Sequence, residues 1–155
     1  MSLPSRKHPR LKNYDYNHGC YHITLCTKNR APILSRISCA ETAADRAQIH
    51  LLSYGKICER YLHNIPSTYQ NVHLLKYVIM PNHIHILLQL GESVVTIPTI
   101  IRSFKRMTHR ELGASIWQDS YYDVVIRNET MFQCEWTYID SNPDKWAEDP
   151  YHTLA

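Results

Sequence analysis

The sequence predicts an α+β fold, an antiparallel sheet with helices packed against it, and three observations carry that expectation. Two apolar, β-forming runs, residues 70–80 and 83–90, are separated only by Pro81-Asn82, a link short enough to demand an antiparallel hairpin. Residues 40–63 and 97–112 instead space their apolar side chains by three and four, as amphipathic helices require. Strands and helices therefore alternate along one chain of 155 residues with no internal repeat. A single domain over 1–155 is expected, long enough to bury a core without staples.

Residues 1–18 form a basic lead-in without helical or alternating periodicity, in which Arg10 and Lys12 stand beside Tyr14 and Tyr16. Aromatics between cations can stack on bases while the cations hold phosphates. Cys20-Tyr21-His22-Ile23-Thr24-Leu25-Cys26-Thr27 reads as the first strand, with Tyr21, Ile23 and Leu25 alternating against His22, Thr24 and Cys26. Lys28 and Arg30 follow in a loop that can touch phosphate. From Ala40 to about His63 one long helix is expected, ending before Pro66, with Gly55 its weak point at about 1 kcal/mol relative to Ala.

The hairpin strands come next. After Gly91 a helix over 97–112 accepts Pro98 in its first turn and stops at Gly113. Ile97, Ile100, Ile101, Phe104, Thr108 and Leu112 line one face of that helix. Arg102, Lys105, Arg106, His109 and Arg110 crowd the other, with no acid until Glu111, which suits a phosphate-binding ridge. Residues 116–118 and 121–126 form an interrupted fourth strand. The last helix begins at Asn128 as N-cap and stops at Asn142-Pro143, giving a helix over 128–142. The order β-α-β-β-α-β-α is the split βαβ, ferredoxin-like arrangement with its helices on one face, extended by one C-terminal helix.

Composition narrows the function. No stretch approaches eighteen consecutive apolar residues and no apolar segment follows the N-terminal cations, so neither a membrane span nor a signal peptide is expected and the chain reads as cytoplasmic. Five cysteines without a C-x-x-C pair fit reduced thiols. The net charge of +3 conceals an asymmetry: residues 1–110 hold 15 of the 17 Lys+Arg but only 5 of the 14 Asp+Glu. Such an excess favours polyanions, because neutralising phosphates releases condensed counterions. Attraction between the two parts of the chain is the alternative.

His83-Ile84-His85 opens the second hairpin strand, so period-two alternation sends both imidazoles to one face. Neutral ring nitrogens held on a strand suit a divalent metal, and two partly buried histidines bonded to carbonyls are the plainer reading. Tyr138 and Asn142 share a helical face at four-residue spacing. A phenol leaves more readily than an alkyl alcohol, so a phosphotyrosine link would make phosphoryl transfer reversible. Tyr138 is nevertheless one of eleven tyrosines, with Tyr121 and Tyr122 also close to the sheet in sequence.

The chain carries, in order, Leu11-Lys12-Asn13-Tyr14-Asp15-Tyr16, Thr24-Leu25-Cys26-Thr27-Lys28-Asn29-Arg30, Val78-Ile79-Met80-Pro81-Asn82-His83-Ile84-His85, Ile116-Trp117-Gln118, Tyr121-Tyr122-Asp123, Ile126-Arg127-Asn128 and Tyr138-Ile139-Asp140-Ser141-Asn142-Pro143. In this order they resemble the HUH single-tyrosine transposases, and among them the REP-associated tyrosine transposases and their insertion-sequence relatives. The resemblance implies that His83 and His85 are metal ligands, Tyr138 the nucleophile and Asn142 a candidate third ligand. It further implies magnesium or manganese, cleavage of single-stranded DNA near hairpins, and a 5′-phosphotyrosine intermediate. A relative that binds hairpin DNA without turnover is the competing reading, and a metal hydrolase using activated water is a third. Relatives of this kind act as dimers or as monomers, which leaves a homodimer open. Arg10, Lys12, Lys28, Arg30, Arg102, Lys105, Arg106 and Arg110 are then the expected DNA contacts, inferred from charge.

Overall fold

The computed structural model describes residues 19–38, 41–42, 44–92 and 95–150. Strand β1, Gly19–Cys26, alternates as expected and pairs antiparallel on both sides, with β5, His83–Leu90, and with β6, Tyr122–Ile126. Strand β4, Val72–Ile79, completes an antiparallel sheet of order β4-β5-β1-β6, so the histidine-bearing strand lies inside it. The hairpin closes as the sequence predicts, Met80 N donating to His83 O at 2.8 Å around Pro81-Asn82. Trp117 makes an isolated bridge to Thr27, which accounts for the interruption before β6.

The segment after β1 departs from expectation. Among the described residues, 41–42 and 44–52 are not the start of a helix. Ser35–Ser38 (β2) and Gln48–Leu51 (β3) pair as a separate small hairpin, and α1 runs over Ser53–Thr68 with Pro66 inside its last turn. Four alternating residues, Gln48-Ile49-His50-Leu51, are too short a signal to override the helical spacing around them. Gly55 is likewise not a weak point. An added Cβ there would stand 2.1 Å from the Leu34 carbonyl oxygen, so glycine lets α1 press against the chain that enters β2.

Alternation along β1 and β5 sorts the two faces of the sheet. Tyr21, Ile23, Leu25, Ile84, Ile86 and Leu88 join α1 and α2, Ile97–Leu112, in the main core. Helix α2 has Thr96 as N-cap, Pro98 in its first turn and Gly113 in the left-handed region at its end, φ 69°. Its buried stripe is Ile97, Ile100, Ile101, Phe104 and Thr108, the last satisfied by accepting from Trp117 Nε1 at 2.8 Å. On the opposite face α3, Glu129–Ser141, packs Ile139, Phe132 and Trp136 against Val78, Met80 and Leu87, with Trp146 from a 3-10 turn over Pro143–Glu148. Helices thus cover both faces of the sheet, α1 and α2 on one and the extra helix α3 on the other. The part of the second face that α3 leaves open is where the polar residues of β1 and β5 collect.

Candidate active site

Among the β1 and β5 residues that alternation turns away from the main core are His22, Thr24, His83 and His85. Register places Thr24 opposite His85 and Cys26 opposite His83, so the polar side chains of neighbouring strands meet. His83 and His85 are nearly buried, 6% and 4% exposed, with ring centroids 4.8 Å apart and planes almost perpendicular. The Nδ1 of each is occupied. His83 Nδ1 lies 2.6 Å from Asn82 Oδ1, and His85 Nδ1 lies 3.0 Å from both His22 Nε2 and Thr24 Oγ1. His85 Nε2 is buried and has no hydrogen-bond partner among the described residues.

Both imidazoles are held neutral. Burial pushes the His83 pKa down to about 4, helped by the Arg30 charge and opposed by Asp149 and a hydrogen bond with Asn142. For His85 burial again dominates and holds the pKa well below the ordinary value, and any positive charge on His83, His22 or Arg30 pushes the same way. A neutral imidazole is the ligand-competent form.

Asn128 caps the start of α3 by accepting from Met131 N at 2.8 Å, and from there the helix carries Glu135, Tyr138 and Asn142 to the same site. Glu135, three residues before Tyr138, accepts a hydrogen bond from His22 Nδ1. The Tyr138 ring stands edge-on to His85 at 5.2 Å between centroids and 5.8 Å from His22, in the same chain. At 46% exposed, it is a large aromatic left open to solvent. Such exposure is unneeded for packing and useful to a nucleophile. Asn142 closes α3 and contacts His83. These groups line a cleft of about 750 Å³ together with Arg30, Lys145, Glu148 and Asp149. Tyr122 also lines the cleft, whereas Tyr121 is buried in the main core.

The donor set fits a divalent cation that takes imidazole nitrogen together with oxygen. With its Nδ1 occupied, His85 is left with a bare, buried Nε2 that a cation would satisfy, and His83 lies beside it with the Asn142 amide to which it hydrogen-bonds. No group of three His, Cys, Asp or Glu among the described residues is placed to enclose a metal.

The expected DNA contacts separate. Arg10 and Lys12 lie outside the described residues. Arg30 lines the cleft with φ 53°, while Lys28 is exposed beside it. Arg102, Arg106 and Arg110 are exposed on α2, across the sheet from the histidines, and make no ion pair among the described residues. Lys105 differs from its neighbours. Its ammonium donates to the carbonyls of Gln118, Asp119 and Ser120 at 2.7, 3.5 and 3.3 Å, tying down the loop after α2. His22 and Glu135 are members of the site that sequence reasoning did not single out. The signal for His22 was its alternation against Tyr21 and Ile23. For Glu135 it was the three-residue step to Tyr138.

The domain is an antiparallel split-βαβ sheet with two imidazoles on a central strand and an open tyrosine across a cleft from them. Residues 15–142 match the family model described as Transposase IS200 like, and the chain belongs to that family, as its HUH motifs suggest. It is 29% identical to an uncharacterized protein of Haemophilus influenzae, over 93% of this chain and 91% of that one. Its fold is similar to that of a REP-associated tyrosine transposase solved bound to a REP hairpin, with TM-score 0.65 and 18% identity over 89% of this chain and 74% of that one. A Deinococcus radiodurans protein described as a candidate transposase shows a TM-score of 0.51 and 19% identity over 86% of this chain and 97% of its own.

Proposed function

We propose that this transposase-family protein cuts and rejoins single-stranded DNA beside a hairpin, with Tyr138 as the nucleophile. The observation that carries the reading is the Tyr138 ring edge-on to His85, exposed at the mouth of the cleft in the same chain. The phenolic oxygen attacks the scissile phosphorus, an O–P bond to Tyr138 forms, and the bond to the DNA 3′-oxygen breaks, leaving a 5′-phosphotyrosine and a free 3′-hydroxyl. A 3′-hydroxyl attacking that phosphorus reverses the step and rejoins strands.

His83, His85 and Asn142 are the residues that would hold magnesium or manganese. The bound ion supplies polarisation of the non-bridging phosphate oxygens and a template for the scissile group. Manganese tolerates imidazole better than magnesium does. Arg30, which lines the cleft, would meet phosphate there, and Lys28, Arg102, Arg106 and Arg110 would add cationic surface for flanking DNA. The rest of the reading follows from the resemblance to relatives that act on hairpin-flanked strands.

The test is incubation with Mn²⁺ or Mg²⁺ and labelled single-stranded hairpin DNA, followed by denaturing electrophoresis. Label should migrate with the denatured protein, vanish in Tyr138→Phe and vanish when the metal is chelated. Binding that leaves no adduct under either metal would make the protein a hairpin-binding module. Cleavage that survives Tyr138→Phe would assign the nucleophile to water.

A further inference from the structure

We propose that Glu135 and His22 are positioning residues that lock His85 in the tautomer with its proton on Nδ1, presenting a bare Nε2 to the cleft. The proposal rests on the reading of His85 as a metal ligand. A carboxylate only accepts, so the Glu135 contact puts a proton on His22 Nδ1. A neutral His22 then has a lone pair at Nε2, and the 3.0 Å contact to His85 Nδ1 requires the proton to lie on the His85 side. Thr24 Oγ1, also 3.0 Å away, can share it. The opposite tautomer would put an N–H at His85 Nε2, which is buried with no acceptor among the described residues. A lone pair there is what a cation requires.

The arrangement has a local counterpart in His83. Its Nδ1 is tied to Asn82, the residue before it, at 2.6 Å. His85 has no such neighbour, and its tether crosses from β5 to β1 and on to α3. One result is that the helix carrying Tyr138 also orients a ring beneath it. Partners of this kind, one shell removed from a ligand, typically change metal affinity by about ten- to a hundredfold when lost.

Long-range proton–nitrogen correlation spectra of the metal-free protein, with nitrogen-15 in its histidines, read the tautomer directly. Wild type should show the His85 proton on Nδ1. Glu135→Gln and His22→Phe should mix or invert it and weaken Mn²⁺ binding, measured by calorimetry, by about ten- to a hundredfold. His22→Gln, whose amide oxygen can accept from Nδ1, should restore part of both. Glu135 lies near the surface, so Glu135→Gln decides the matter even if His22→Phe does not fold. A wild-type proton on Nε2, as a doubly protonated His22 would impose, overturns the proposal. So does a tautomer shift that leaves Mn²⁺ affinity unchanged. A wild type that binds no Mn²⁺, yet shows the Nδ1 proton and loses it in Glu135→Gln, would sink the metal reading while retaining the lock.

Discussion

Helices α2 and α3 are of comparable length and lie on opposite faces of the same sheet, but they are held differently. Helix α2 buries five residues in the main core, is capped at both ends, and is clipped to α1 where Glu111 accepts from Arg60 and from Tyr61 Oη at 2.6 Å. In α3 only Ile139 is fully inside. Its other attachments are half-buried aromatics, the Asn128 cap, the Glu135 bond to His22 and polar tethers at its exposed end. Apolar burial is the larger stabilising term, at roughly 25 cal/mol per Å², so α2 is fixed by the fold while α3 rests on it. The nucleophile candidate belongs to the lightly held helix, and the cationic ridge to the fixed one. In the proposed reaction, a low cost of local opening would let α3 admit a DNA strand to the cleft.

The largest test of this contrast is Phe104→Ala. The ring is 4% exposed and packs 5.8 Å from that of Trp117, so its removal should lower stability by about 3–5 kcal/mol in denaturant unfolding. Tyr138→Phe, by comparison, should leave the unfolding midpoint in place. Amide exchange should follow the same division, with α2 protected up to global unfolding and α3 exchanging through local opening. Equal protection of the two helices would break the comparison.

What the sequence revealed follows the range of the interactions. The hairpin, α2 and the start of α3 were legible because Pro81-Asn82, Pro98, Gly113 and Asn128 act on their immediate neighbours. The face shared by His83 and His85 was legible for the same reason, since alternation is a local rule. The β2–β3 hairpin was hidden because β3 offers four alternating residues inside a helix-like spacing. The role of Gly55 was hidden because its partner, Leu34, approaches from 21 positions earlier. The Glu135–His22–His85 chain joins three separate elements, and no single segment records it. In the fold as in the site, contacts made within a few residues could be read directly, and contacts made by tertiary register could not.

Acid should separate the two faces next. His83 titrates near 4 in the folded chain against an ordinary 6.5, so between those values the unfolded chain binds the extra proton. Stability from this group is complete above about pH 6.5, falls by about 1.4 kcal/mol per pH unit below it, and levels off near pH 4, a total of about 3 kcal/mol. His85 acts in the same direction. Both rings lie on the α3 side and neither on the α2 side. Loss of α3 protection before α2 protection in a pH series of hydrogen exchange is the expected result, and simultaneous loss would contradict it.

The smallest expected effect concerns the end of α3. Asp140 accepts from Lys76 Nζ at 3.0 Å and from Arg46 at 3.3 Å, and both cations hold its carboxyl below the ordinary carboxylate range. Lys76 reaches it because a bulge between Leu74 and Lys76 re-aims β4, and its ammonium also lies 4.4 Å from the centre of the Trp136 ring. Asp140 is 46% exposed, so water and salt screen these pairs. Asp140→Asn should therefore lower global stability by only about 0.2–1 kcal/mol. Its measurable consequence should be faster amide exchange over the last turn of α3 at low ionic strength, with the difference from wild type shrinking as salt is added. The tether acts two residues from Tyr138. If Asp140→Asn also speeds adduct formation, release of α3 limits the rate, whereas a slower reaction would mean that the tether holds the tyrosine in place for attack.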